Sequence, residues 1–376
     1  MKIVLTGGGT GGHFYPLIAI AEKLTETAYE NKVIDLKLYF MSDAPYDKRL
    51  LFENGIKYVS VPAGKMRLYF SFKNIFDIFS TITGLFWGLV NMFFIFPDVV
   101  ISKGGYAAFP AVFAAKILRI PVIVHESDSF PGRLNVWTAK FAQYVAISWP
   151  EAIDYLPKEK TALTGQPIRS NILHGDSNGA IEFFNLEKDL PVILVIGGSQ
   201  GAEKINDIVI DVLPDLLEHY QVIHQTGIKN YDASVLRAKL VLEKTNLLPR
   251  YKALSYLSDL DTRMAAGASS LVISRAGSAI FEIASWGLPS IIIPITISNG
   301  DHQRKNAFNY ARSGSCEVIE ESNLTRHVLI SEIDKLMTNK TRMDEMKRSA
   351  LAFANHDAAK KIANKAIGIG LEHDRS

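Results

Sequence analysis

LTGGGTGGHFYP, residues 5–16, follows a short apolar run and precedes a helical pattern. Five of its twelve residues are glycine, and His13 directly follows the last of them. Glycines in a strand-to-helix turn let backbone N–H groups approach a ligand closely. The helix N-terminus behind them adds partial positive charge, so an anion is the natural guest. Gly7-x-Gly9-x-x-Gly12 also satisfies the dinucleotide fingerprint, which wants an acid about 20 residues further on. The nearest acid at a strand end, Asp43, is 31 residues past Gly12, which argues against a nicotinamide enzyme. Neither glycine loop is followed by the lysine-serine/threonine pair of a Walker motif.

Outward from that loop, β-rich runs alternate with helical patterns, the mark of parallel sheets covered on both faces. In the first half, strands are expected at 2–6, 36–41, 58–61, 99–102, 122–125 and 145–147. Helices are expected at 16–27, 46–54, 72–94, 110–118 and 134–141. A second series has strands at 192–196, 221–225, 251–254, 271–273, 290–293 and 317–319. It too opens with a strand entering glycines, Gly197-Gly198-Ser199-Gln200-Gly201. The reading is α/β, with two doubly wound domains whose glycine loops lie at strand carboxyl ends and face a shared cleft. Residues 1–165 form the first domain, 166–190 a linker within a polar, turn-rich stretch, and 191–355 the second domain. The last helix, 356–376, is expected to pack back toward the first domain.

Bulk composition sets limits. At 376 residues, 48% hydrophobic and 21% charged, the chain suits two ordinary soluble domains. A net charge of +2 gives no sign of a nucleic-acid binder. One cysteine, Cys316, excludes an internal disulfide framework and accords with a reducing compartment. Residues 78–96, IFSTITGLFWGLVNMFFIF, run without charge for about the length of a bilayer span. Ser80, Thr81, Thr83, Asn91 and two glycines interrupt it, and Pro97-Asp98 leads into a buried strand. A crossover helix with one face in the core and another near lipid explains the same composition. Lys65, Arg67 and Lys73 upstream would suit anionic headgroups.

Candidate site residues have two readings each. His13 either packs at a helix start or, kept neutral by that helix, accepts a proton as a general base. Glu282 is either a first-turn acid favoured by the helix dipole or a carboxylate that accepts both hydroxyls of a ribose. Gln303 alone reads as a solvated helix residue. Asp259-Leu260-Asp261 has DxD spacing but looks like the solvent side of a helix start. With no HExxH and no Cys/His cluster, neither metal nor cofactor is expected.

Taken together, these stretches resemble the MurG family of N-acetylglucosaminyltransferases. The resemblance spans nearly the whole chain: GGGTGGH at 7–13, SKGGYAAFPA at 102–111, VHES at 124–127, GQPIR at 165–169, GGSQGA at 197–202 and EIASWGLPS at 282–290. It implies a GT-B fold and inverting, metal-independent transfer from UDP-N-acetylglucosamine. The implied acceptor is the 4-hydroxyl of the N-acetylmuramoyl group of lipid I, on an undecaprenyl carrier, and the product is lipid II for peptidoglycan. A peripheral place on the cytoplasmic face of the bacterial plasma membrane is implied, with cell-wall synthesis proteins as partners.

Residue by residue, the resemblance assigns Thr10, Gly11 and Gly12 to the donor–acceptor cleft and His13 to the base. Arg169, Ser199 and Gln200 would meet the donor, Leu257 would recognise uracil through its backbone, Glu282 would hold the ribose, and Gln303 would lie nearby. Tyr106, Glu126 and Asp128 fall on the acceptor side, the last two as further catalytic candidates. Where the family commonly reads Glu-Gln-Asn, this chain has Glu126-Ser127-Asp128. Ionised Asp128 can only accept hydrogen bonds and would repel a nearby phosphate. The segment from Arg275 to Glu282 is one residue shorter than the family's usual spacing.

Overall fold

The computed structural model describes all residues except 66–72, 199–200, 297–298 and 374–376. Ser199, Gln200 and Arg67 therefore lie outside the described residues. The chain divides into two compact units, residues 1–170 with 355–376, and residues 171–354.

The first unit runs β1 (Lys2–Thr6), α1 (Gly11–Glu30), β2 (Lys37–Ser42), α2 (Lys48–Glu53), β3 (Ile56–Ser60), α3 (Lys73–Ile95) and β4 (Val99–Ser102). It continues with α4 (Phe109–Ile117), β5 (Val122–Glu126), α5 (Arg133–Ala139), β6 (Tyr144–Ile147) and β7 (Thr161–Leu163). The second unit has α6 (Ala180–Phe183), β8 (Val192–Ile196), α7 (Glu203–His219), β9 (Gln221–Gln225), α8 (Tyr231–Val241), β10 (Tyr251–Leu254) and α9 (Asp259–Ala268). After these come β11 (Ser269–Ser274), α10 (Ala279–Trp286), β12 (Ser290–Ile292), α11 (His302–Arg312), β13 (Cys316–Val318), α12 (Arg326–Met337) and α13 (Lys340–Phe353). The last helix, α14 (Ala358–His373), belongs to the first unit.

Both sheets are wholly parallel. The first orders its seven strands β3-β2-β1-β4-β5-β6-β7, and the second its six as β10-β9-β8-β11-β12-β13. The chain winds one way from β1 and the other way from β4, so a switch point lies between those strands, as it does between β8 and β11. Successive side chains alternate between faces. Ile3 and Leu5 pack with Phe14 and Leu17 of α1 and Ile362 and Ala366 of α14. Val4 faces the other way, onto Val100, Val124, Met92 and Ala111.

Two expectations need correction. Helix α1 begins at Gly11, more than a turn before Pro16, which is buried inside it. The polar stretch after Pro157 also supplies a strand, β7, paired with β6. At three residues it is too short to show a period.

Helix α3 is the crossover between β3 and β4. Gly84, Gly88 and Met92 recur every four residues and form its buried side, against α4. A β-carbon at Gly84 would collide with the carbonyl of Pro62, and one at Gly88 would lie 3.0 Å from the carbonyl oxygen of Pro110. The opposite side carries Phe79, Ile82 and Phe86, and one flank carries Phe76, Trp87 and Phe94, all exposed. Phe76–Ile95 is long and apolar enough to cross a membrane, while its glycine side is held within the α/β unit.

Candidate functional site

Because every strand is parallel, the loops after β1, β4 and β5 emerge at one edge of the first sheet. Thr10 caps α1 in extended conformation, and its hydroxyl lies 3.3 Å from His13 Nδ1. Half-buried His13 also places Nδ1 3.0 Å from the carbonyl oxygen of Gly8. A carbonyl only accepts, so Nδ1 carries the proton and Nε2 keeps a lone pair. Burial, then the nearby Lys103 ammonium, hold this imidazole below its ordinary pKa, while Asp128 pulls it back up. At neutral pH His13 is therefore a neutral acceptor.

The β4 loop closes over that ring. Gly105 has φ +77°, and a β-carbon there would sit 3.4 Å from the His13 imidazole. Both the dihedral and the space call for glycine. Tyr106 follows, donating its hydroxyl to Asp43 Oδ2 at 2.8 Å. Burial, reinforced by that carboxylate, pushes the phenol pKa up. Asp43 thus serves Tyr106, and not the ribose role a dinucleotide site would give it.

On the β5 loop Glu126 is buried. Its Oε1 accepts from Asp128 N–H at 2.9 Å, and its Oε2 from Gly132 N–H at 2.9 Å and Asn135 Nδ2 at 2.8 Å. Burial and the adjacent Asp128 charge raise its pKa. In the structure Glu126 shapes the turn that carries Asp128.

Beneath these loops lies a polar cluster that the sequence reading did not single out. Lys103 follows β4 directly and is 2% exposed. It donates from Nζ to His125 Nδ1 at 2.7 Å and to Ser127 Oγ. His125 Nε2 lies 3.0 Å from the carbonyl oxygen of Gly165, while Ser127 and Ser148 donate to Gln166 Oε1 at 2.8 and 3.0 Å. One sign was present in the sequence, a lysine closing an apolar strand ahead of two glycines.

In the second unit the equivalent edge carries the loops after β8, β10, β11 and β12. Leu257 is buried immediately before Ser258, which forms a capping box with Asp261 at the start of α9. Of the DxD-like pair, Asp261 is therefore a capping residue, while Asp259 accepts from Asn171 Nδ2. Glu282 is half-buried in the first turn of α10. Gln303 Oε1 accepts from the Ile295 N–H at 3.2 Å, bracing the β12 loop. Arg275 bonds Glu321 and, at 3.1 Å, the carbonyl of Ile293, and Glu321 accepts from the Thr296 hydroxyl at 2.9 Å. Among the described residues, no group of three or more His, Cys, Asp or Glu is placed to hold a metal ion.

Known proteins give this arrangement its context. The glycosyltransferase family 28 N-terminal domain profile matches residues 3–147, and the C-terminal domain profile matches residues 192–362. A Lachnospira eligens protein is 39% identical over 90% of this chain and 92% of its own. It is named UDP-N-acetylglucosamine--N-acetylmuramyl-(pentapeptide) pyrophosphoryl-undecaprenol N-acetylglucosamine transferase. The chain belongs to the MurG family. MurG of Acinetobacter baumannii has the same GT-B fold, with a TM-score of 0.71 at 23% identity over 98% of this chain and 99% of its own. A UDP-GlcNAc 2-epimerase from Neisseria meningitidis bound to UDP-GlcNAc reaches 0.67 at 13% identity, over 98% of this chain and 100% of its own. Backbone shape is thus shared with epimerases, and sequence identity carries the family assignment.

The residues drawn from the MurG resemblance fall into two groups. Thr10, Gly11, Gly12, His13, Tyr106, Glu126 and Asp128 gather at the β1–β4–β5 edge of the first unit. Arg169 belongs to the same unit, stacked 4.2 Å from the Tyr15 ring centroid on α1. Leu257, Glu282 and Gln303 lie on loops and helix starts of the second unit.

Proposed function

We propose that this MurG-family protein transfers N-acetylglucosamine from UDP-N-acetylglucosamine to the 4-hydroxyl of the N-acetylmuramoyl group of lipid I, forming lipid II. The 39% identity over 90% of the chain to a transferase of that name carries the reading. The tautomer of His13 supplies its chemistry. Nε2 takes the proton of the acceptor hydroxyl as that oxygen attacks the anomeric carbon, and the bond from that carbon to the UDP phosphate oxygen breaks. Attack opposite the leaving group inverts the configuration. Departing UDP gains charge, which the N-terminus of α7 would stabilise with its fixed dipole. Glu282 accepts the ribose hydroxyls, the Leu257 backbone meets uracil, and Asp128, held by Glu126, orients the acceptor sugar.

The exposed aromatic side of α3 supports membrane association, with the protein lying on the lipid surface while the glycine side stays in the core. A peripheral position on the cytoplasmic face gives access to both the soluble donor and the lipid acceptor. Transfer of radiolabelled N-acetylglucosamine to lipid I in the presence of EDTA tests the assignment. Labelled lipid II is the expected product. No transfer to lipid I, with the donor converted to a 2-epimer, would overturn it.

A further inference from the structure

Burying an ammonium is costly unless its protons are all used and its charge is answered. Lys103 directs two of its three protons to side-chain acceptors and has two carboxylates near its charge. His125 Nε2 faces the Gly165 carbonyl, which only accepts, so Nε2 carries the proton and Nδ1 must accept from Lys103. The Ser127 hydroxyl donates to Gln166 Oε1, so its oxygen also accepts from Lys103. Lys103 is therefore the common donor, and Glu126 and Asp128 supply the counter-charge. The same residue abuts the glycine loop, since a β-carbon at Gly7 would lie 2.9 Å from the Lys103 β-carbon. Two residues on, Gly105 rests against His13.

We propose that Lys103 is a positioning residue for the transfer reaction, tying the Ser127-Asp128 loop to the glycine loop and placing a positive charge behind His13. The inference rests on His13 being the base. Lys103 and Asp128 act on His13 in opposite directions, and the Gly8 carbonyl bonds it directly. Lys103 itself faces Glu126, Asp128 and the neutral His125. Burial lowers its pKa to about 8, so at neutral pH it is still the charged partner. Neutralising this side chain removes the positive charge that offsets the pull of Asp128 on His13, which raises the imidazole pKa and removes base as the pH falls.

The test compares Lys103→Met, Ser127→Ala and His13→Ala over pH 5–9, with lipid I as acceptor and UDP binding as a measure of intact donor recognition. Lys103→Met should lose at least about tenfold in kcat, and its acidic limb should move up by roughly half to one pH unit. UDP affinity should stay unchanged. Ser127→Ala keeps the charge and loses the tie, so kcat should fall with the acidic limb in place. This variant decides the tie even if Lys103→Met fails to fold. An unmoved acidic limb in Lys103→Met, or wild-type kcat in Ser127→Ala, overturns the proposal. A limb that survives in His13→Ala overturns the base assignment instead, and the two failures are distinguishable.

Discussion

Replacing Phe79 and Phe86 together by serine should detach the protein from membranes without harming its chemistry. The two residues lie seven apart on the side of α3 opposite Gly84 and Gly88, and are 63% and 62% exposed. A phenylalanine presents about 200 Å², so each ring offers roughly 125 Å² to lipid. At about 25 cal/mol per Å², complete insertion would be worth about 3 kcal/mol per ring. Insertion to half depth at the interface leaves about 1.5 kcal/mol, or tenfold in partitioning. The positions are about 10 Å apart along the helix, so their effects should add to roughly a hundredfold. Co-sedimentation with vesicles of phosphatidylethanolamine and phosphatidylglycerol measures this, with turnover of a short-chain, detergent-soluble acceptor as control. Partitioning equal to wild type would show that this face does not meet lipid. High salt should release part of the wild-type protein, because surface charge attraction is screened.

His13→Ala should lower kcat by about 10²- to 10⁴-fold with little change in donor affinity. The wild-type pKa lies below 6.5, so activity falls as pH drops through that lowered value, and the variant should lose this limb. Near-normal turnover with an unchanged profile would make His13 a packing residue. Glu282→Ala should weaken donor binding by about 1.5–3 kcal/mol, read by calorimetry with UDP-N-acetylglucosamine, and unchanged affinity would reduce it to a helix-dipole residue. His224 predicts an acid weakness of the second unit. It is buried between Asn206 Oδ1 and the Tyr251 hydroxyl, both at 3.0 Å, and burial lowers its pKa to about 3. Its folded value lies below the ordinary 6.5, so this stability is present above 6.5 and is lost as pH falls toward 3. The slope should be about 1.4 kcal/mol per pH unit. Urea midpoints between pH 7 and 4 should fall less steeply for His224→Gln than for wild type, and equal slopes would refute the account.

The local grammar of the fold is legible in the order of residues alone. Apolar runs such as Val192–Ile196 and the exchange of strand and helix periods specify parallel layers, because burial on both faces demands them. Glycines followed by a helix specify an anion-facing turn, and they put His13 at its mouth before any contact is known. Spacing also located the lipid-facing candidate, since its charge-free run is a property of the chain alone. Tertiary structure decided which groups meet. Tyr106 and Asp43 are 63 residues apart, yet they bond because β1 lies between β2 and β4 at one sheet edge. The His13 tautomer depends on the Gly8 carbonyl turning inward, and no residue type announces that. In the sequence Lys103 is a lysine closing an apolar strand, and only the convergence of the β4, β5 and β7 ends makes it a buried donor. Periodicity reports which side of its own element a residue takes, while a polar network depends on the order in which strands are laid beside one another.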